Sequence, residues 1–139
     1  MVTATIEALS GFSENPGRTV LVVEDEEGIR FCATEFLRDC GYNVVEAGTV
    51  AEAREVLLRG RVDLVFSDIN MPNRETGFVL EKWVRRQFPE IKVLLTSGVP
   101  QAAEDTRDLL EPLIPKPYKL SMLEGRIERL LCRSHSLVA

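Results

Sequence analysis

Two kinds of segment alternate along this chain, and that alternation limits what it can fold into. The apolar, β-branched runs are "TVLVVED", "YNVVEA", "VDLVFSD", "IKVLLTS" and "PLIPKPY". Between them lie amphipathic stretches whose apolar residues recur at helical spacing. A run that is apolar at every position, such as Val20 to Val23, predicts a strand covered on both faces. One strand followed by one helix, five times over, requires crossover connections. Crossovers place neighbouring strands parallel and put helices on both faces of the sheet. The expected fold class is therefore α/β, a doubly wound parallel sheet of five strands with five helices.

The helical stretches carry their own punctuation. "EGIRFCATEFLRDCG" presents Ile29, Phe31, Cys32, Phe36, Leu37 and Cys40 as its apolar residues and stops at Gly41. "TVAEAREVLLRG" has Thr49 as N-cap, Glu52 at the capping-box position and Gly60 as its end. "GFVLEKWVRRQFP" offers Phe78, Val79, Trp83, Val84 and Phe88, with Trp83 read as core. "PQAAEDTRDLL" reads as a fourth helix with a thin apolar face. "SMLEGRIERLLCR" turns Met122, Leu123, Ile127, Leu130 and Leu131 inward.

A length of 139 residues suits one domain. Residues 1–18 read as an N-terminal extension, 19–133 as the domain and 134–139 as a polar C-terminal tail holding the single histidine, His135. The net charge of -5 argues against nonspecific attraction to nucleic acid or anionic lipid. Cys32, Cys40 and Cys132 lack the spacing of a zinc site or a disulfide framework, which points to a reducing compartment. There is no signal-like start and no run near the ~18 apolar residues of a membrane helix. A cytoplasmic location is expected.

In such a sheet, ligands bind outside the carboxyl ends of the strands. Strand one ends in Glu24 and Asp25, strand three in Asp68, and strand four in Thr96 and Ser97. Strand five ends in Lys116, between Pro115 and Pro117. Strand two ends in Glu46-Ala47, which looks chemically bland. Asp63 stands at the far end of strand three, roughly 17 Å from Asp68 at ~3.3 Å per residue, and reads as a solvated strand start. Each of these residues taken singly has an ordinary explanation: a helix N-terminus for the acids, a turn for Thr96-Ser97-Gly98, a loop position for Lys116. Their joint placement on one rim does not. Three carboxylates in contact repel, and without a cation one of them takes up a proton. An all-oxygen set with room for waters suits magnesium. Lys116 supplies a point positive charge for a phosphoryl oxygen. Asp68 can act as a nucleophile toward phosphorus, giving an aspartyl phosphate.

With these residues assembled, the chain resembles the receiver domains of two-component response regulators. "VLVVEDEEGIR", "SDINMP", "LLTSG" and "PKPY" stand in the family's order and spacing over roughly residues 19–133. The resemblance implies a flavodoxin-like sheet in the order 2-1-3-4-5. It implies that Asp68 is the phosphoacceptor, and that Asp25, Asp68 and the Asn70 backbone carbonyl bind Mg2+, with Glu24 acting through a metal-bound water. Thr96 would be the switch hydroxyl, with Ser97 beside it. Lys116 would pair with Asp68 and then with the phosphate, and Lys116-Pro117 would be a cis peptide. A histidine kinase or histidine phosphotransfer protein is the implied phosphodonor partner.

The implied role is that of a stand-alone response regulator in phosphorelay signal transduction, and not an enzyme beyond self-dephosphorylation. It would signal by phosphorylation-dependent binding of an output protein through the helix 4–strand 5–helix 5 face, with a homodimer open to it, or serve as a phosphate shuttle or sink. The sequence departs from the commonest pattern in three places. "NMPNRETG" is one residue longer before its glycine, a form that resembles receivers associated with hybrid histidine kinases. Leu113 occupies a position that is often an aromatic switch, and the fourth helix is short and polar. Leu113 and the weak fourth helix motivate an alternative, a receiver-like binding module that does not switch. A magnesium-dependent phosphohydrolase is the more distant alternative.

Overall fold

A computed structural model of the chain describes residues 17–71, 76–101 and 103–138. Most of the expected N-terminal extension and residues 72–75 of the "NMPNRETG" loop lie outside the described residues.

The strands are β1 (Thr19–Val23), β2 (Asn43–Ala47), β3 (Leu64–Asp68), β4 (Lys92–Ser97) and β5 (Ile114–Pro115). The helices are α1 (Glu27–Asp39), α2 (Val50–Arg59), α3 (Gly77–Gln87), α4 (Ala103–Thr106) and α5 (Leu120–Val138). The strands form one parallel sheet in the order β2-β1-β3-β4-β5. Four helices are of full length, and α4 is a single turn.

Strand alternation divides the core in two. Successive side chains on a strand point to opposite faces. Val20, Val22, Leu64, Phe66 and Leu94 join Leu37 of α1 and Leu123, Ile127 and Leu130 of α5 on one face. Leu21, Val23 and Val65 join Ala53 and Leu57 of α2 and Leu80 and Val84 of α3 on the other. Every residue of β3 is buried, so this strand is the rigid centre on which Asp68 stands. Burial of each large aliphatic side chain contributes about 1.5–3 kcal/mol.

The helix ends follow from local chemistry. Gly41, with φ 103°, turns the chain out of α1 in the left-handed region that glycine alone enters freely. Thr49 caps α2 by accepting from the Glu52 N–H at 3.0 Å, while the Glu52 carboxylate reaches the Gly48 N–H at 2.7 Å. Thr76 caps α3, accepting from the Val79 N–H.

Several expected faces differ. Phe31 is 61% exposed and Cys32 is exposed; the buried stripe of α1 is Ala33, Thr34 and Leu37. At 100° per residue, Phe31 lies about 200° round the helix from Ala33 and cannot share its face. Val79 and Met122 are exposed for the same reason, each one residue off the buried line of Leu80 or Leu123. Trp83 is half-buried, edge-on to Phe88 at 5.8 Å and beneath the Arg54 guanidinium. Among the described residues the expected fourth helix shrinks to Ala103–Thr106, and Leu110, at its expected end, is 71% exposed. The backbone of α5 runs on through the stretch read as a tail, to Val138, since no proline or glycine interrupts it. No helix among the described residues is long and apolar enough to cross a membrane.

Asp63 is not a solvated strand start. Its carboxylate is half-buried and accepts from the Thr19 N–H at 2.8 Å, tying the start of β1 to β3. Its carbonyl accepts from the Lys92 N–H at 3.3 Å. Asp63→Ala leaves the Thr19 N–H without its acceptor and should cost about 1–3 kcal/mol. Urea denaturation would show this as a lower midpoint at unchanged slope. Asp63→Asn keeps an acceptor oxygen and should cost less.

Candidate functional site

The register of the sheet decides which polar residues meet. β1 lies against β3 with Val23 opposite Ser67, and β3 against β4 with Asp68 opposite Thr96. Thr96 in turn faces Ile114 of β5. Strands that run the same way end at the same rim, so Glu24, Asp25, Asp68 and Lys116 emerge together. Ligand oxygens of Glu24, Asp25 and Asp68 all lie within 4.8 Å of one another. Glu24 (5% exposed) and Asp68 (6%) are buried, and Asp25 is open to solvent.

One ammonium holds the two buried acids together. Lys116 Nζ donates to Asp68 Oδ2 at 2.8 Å and to Glu24 Oε1 at 3.2 Å. The other oxygen of each acid is met by a backbone N–H: Asn70 N donates to Asp68 Oδ1 at 3.1 Å, and Glu26 N to Glu24 Oε2 at 3.1 Å. Burial pushes the Glu24 carboxyl above its usual range, and the Asp68 charge pushes the same way, against the Glu26 N–H and Lys116. Burial by itself would lower Lys116, but its bonds to Asp68 and the fields of both acids raise it. Lys116 is therefore an ammonium at neutral pH, one positive charge facing three carboxyl groups. The donor set is all oxygen, without histidine or cysteine, and suits a hard divalent cation.

Lys116 is set by its own backbone. Its N–H donates to the Ser97 carbonyl at 2.8 Å, and the Lys116–Pro117 peptide is cis. The Thr96 hydroxyl, 1% exposed, donates to the Ile114 carbonyl at 2.6 Å and not to the acids. Ser97 Oγ closes the turn after β4, bonding Val99 O at 3.0 Å and accepting from Gln101 Nε2 at 2.9 Å. Asn70 is exposed and joins the cluster through its N–H. Leu113 stands outside the cluster, beside Leu109, Leu110 and Pro112.

Two contributors escape a linear reading. A Cβ on Gly77 would lie 2.5 Å from the Asp68 carbonyl oxygen and 2.9 Å from Ile69 Cα, so only glycine lets α3 start this close to the acid. The Gly77 N–H also donates to the Ile69 carbonyl at 2.8 Å. Glu46, read as bland, accepts from Arg30 Nε at 3.0 Å, and Arg30 Nη1 reaches the Glu24 carbonyl at 2.7 Å. The glycine was visible in "RETG", but its spatial neighbour was not. Nothing in the sequence links positions 30 and 46.

Comparison with known proteins places the chain in a defined company. Residues 20–128 match the family model described as the response regulator receiver domain. The chain is 36% identical over 121 residues to the sensor kinase CckA of Brucella abortus, covering 81% of this chain and 12% of that protein. It is 33% identical over 124 residues to the transcriptional regulatory protein PdtaR of Mycobacterium tuberculosis, covering 88% of this chain and 60% of that one. The chain thus spans only part of these relatives. Among solved structures, the response regulator protein TrrA from Thermotoga maritima in complex with Mg(2+)-BeF superposes with TM-score 0.73 at 26% identity, over 81% of this chain and 98% of that one.

Gly77→Ala should cost about 1–3 kcal/mol in thermal or chemical unfolding, because backbone must move on both sides of the new methyl group. Glu24→Gln should raise the melting midpoint of the metal-free protein by about 2–4 °C at pH 7, since it removes a buried charge that repels Asp68. The folded-state pKa of Glu24 lies above the ordinary value of 4.5, so its favourable contribution holds below that value and is lost as pH rises through the folded pKa. The advantage of the variant should therefore vanish in melts run below pH 4.5. An advantage that persisted there would contradict this origin.

Proposed function

The chain belongs to the response regulator receiver domain family, and on that premise we propose that it accepts a phosphoryl group on Asp68 from a phosphohistidine protein or a small phosphodonor. The observation that carries this reading is the grip on Asp68. One oxygen faces Lys116 Nζ at 2.8 Å and the other faces the Asn70 N–H at 3.1 Å, at the end of a wholly buried strand. A nucleophile held in this way is oriented for in-line attack on phosphorus.

In the proposed step an Asp68 carboxylate oxygen forms a bond to phosphorus while the phosphorus–nitrogen bond of the donor imidazole breaks. The departing imidazole nitrogen keeps the electron pair and takes up a proton. Lys116 then exchanges its bond to the carboxylate for one to a phosphoryl oxygen. Glu24, Asp25, Asp68 and the Asn70 backbone carbonyl would hold Mg2+, which supplies neutralising charge at the phosphoryl oxygens. The bound Mg(2+)-BeF of the TrrA structure supports this assignment.

The Thr96 hydroxyl is the proposed switch. Its bond to the Ile114 carbonyl is the resting arrangement, and the phosphoryl group competes for the same proton. Release of that carbonyl would be felt first in β5 and the loop before it, where Leu113 occupies a position that is often aromatic in the family. Signalling would then pass to an output protein at the face formed by α4, β5 and α5. The self-dephosphorylation expected of such a domain makes it a timed signal and not an enzyme acting on other molecules.

The test is phosphorylation by acetyl phosphate with Mg2+, read by intact-protein mass or by phosphate-affinity electrophoresis. The wild type should gain one phosphoryl group. Asp68→Asn should gain none, and labelling that survived in it would reject Asp68 as the acceptor. Withdrawal of Mg2+ should reduce the label to background.

A further inference from the structure

We propose that Arg30 is a positioning residue for the acidic cluster: its guanidinium, tied to Glu46, grips the main-chain carbonyl of Glu24 and holds the acid-bearing turn in the shape that binds a divalent cation. The inference rests on the phosphoacceptor reading and assigns that site a supporting residue on a different element.

The turn from Glu24 to Glu26 lies beyond the last residue of β1 and before the first of α1. Repulsion among Glu24, Asp25 and Asp68 acts to spread it. The Glu24 N–H donates to the Ala47 carbonyl at 3.0 Å, which extends the β1–β2 pairing by one residue. The Glu24 carbonyl accepts from Arg30 Nη1 at 2.7 Å. Both main-chain polar groups of Glu24 are thus taken by fixed partners, and the second of them is a side chain.

Arg30 is itself braced. Its side chain is only 18% exposed, and its Nε pairs with Glu46 Oε1 at 3.0 Å. Glu46 Oε2 lies 3.7 Å from Arg38 Nη2, which also donates to the Val44 carbonyl at 3.0 Å. The carboxylate at the end of β2 is therefore held by two arginines of α1. Gly48 leaves the room required, since a Cβ there would lie 3.3 Å from Arg30 Nη1. The charge of Arg30 is balanced by Glu46, and its short bond goes to a carbonyl. Its effect on the cluster is accordingly geometric: it restrains the backbone from which two ligands project. Partners of this outer kind change metal affinity by about 10–100-fold when removed.

Calorimetric titration of Mg2+ into the full chain tests the proposal, using the wild type, R30Q, R30K and the double variant R30Q/E46Q, whose net charge equals that of the wild type. R30Q and R30Q/E46Q should both bind Mg2+ about tenfold more weakly, with R30K recovering part of the loss. An arginine acting only by its charge would give tighter binding in R30Q and wild-type binding in the double variant, which would overturn the proposal. So would variants whose unfolding curves shift while the Mg2+ dissociation constant of the folded protein stays the same. If R30Q does not fold, R30K and E46Q carry the test, and unchanged dissociation constants in both would overturn it. A wild type that bound no Mg2+ would remove the phosphoacceptor reading and this one together; a wild type that bound it as tightly as R30Q would remove this one alone.

Discussion

The ammonium of Lys116 between Glu24 and Asp68 is the interaction on which the site depends. Two buried carboxylates beside a third in a partly dry environment repel, and a chain so arranged would protonate one of them or open the rim. Lys116 offsets part of that charge through two hydrogen bonds, at 2.8 Å to Asp68 and 3.2 Å to Glu24, and it reaches across from the end of β5 to do so. One ammonium faces three carboxyl groups, an arrangement that would suit a further positive charge. Stability and function are opposed at this point: the residues that strain the apo protein are those that would hold a cation and a phosphoryl group.

Around that interaction the scaffold supplies stiffness where charge supplies tension. β3 is buried along its whole length and is paired on both sides, so Asp68 has a backbone that cannot swing. Gly77 lets α3 begin against the Asp68 carbonyl, and Arg30 ties the Glu24 carbonyl to the end of β2. The side of the rim toward β5 is built differently. β5 has two paired residues, α4 is one turn, and the Thr96 hydroxyl bonds the Ile114 carbonyl beside the backbone pairing of the same two residues. Short elements such as these are the ones that rearrange most readily. A fixed acid beside a hydroxyl bonded to short elements is the division of labour that the proposed switch would require.

Much of this was legible from residue order. The continuous apolar strands specified a two-faced parallel sheet, and the acids, hydroxyls and lysine at their carboxyl ends specified one rim. Helix faces were read less well where apolar residues stood next to each other. Phe31 and Cys32 share the composition of a core stripe but not the angular position of Ala33 and Leu37. Sequence alone makes Asp63 a solvated strand start, because its acceptor role depends on the Thr19 N–H, 44 positions away. Glu46 was read as bland because its value lies in Arg30, which α1 brings to it from another part of the chain.

What the sequence determined by itself was the set of elements and the chemistry at their ends, because hydrophobic period and residue type are local properties. What only the tertiary structure decided was which of those ends touch. Lys116 lies 92 residues from Glu24 and 48 from Asp68, and the parallel register alone brings its ammonium within hydrogen-bonding distance of both. The close approach at Gly77 and the grip of Arg30 on Glu24 belong to the same class, since van der Waals contact and hydrogen bonding are set by distance in space and not along the chain.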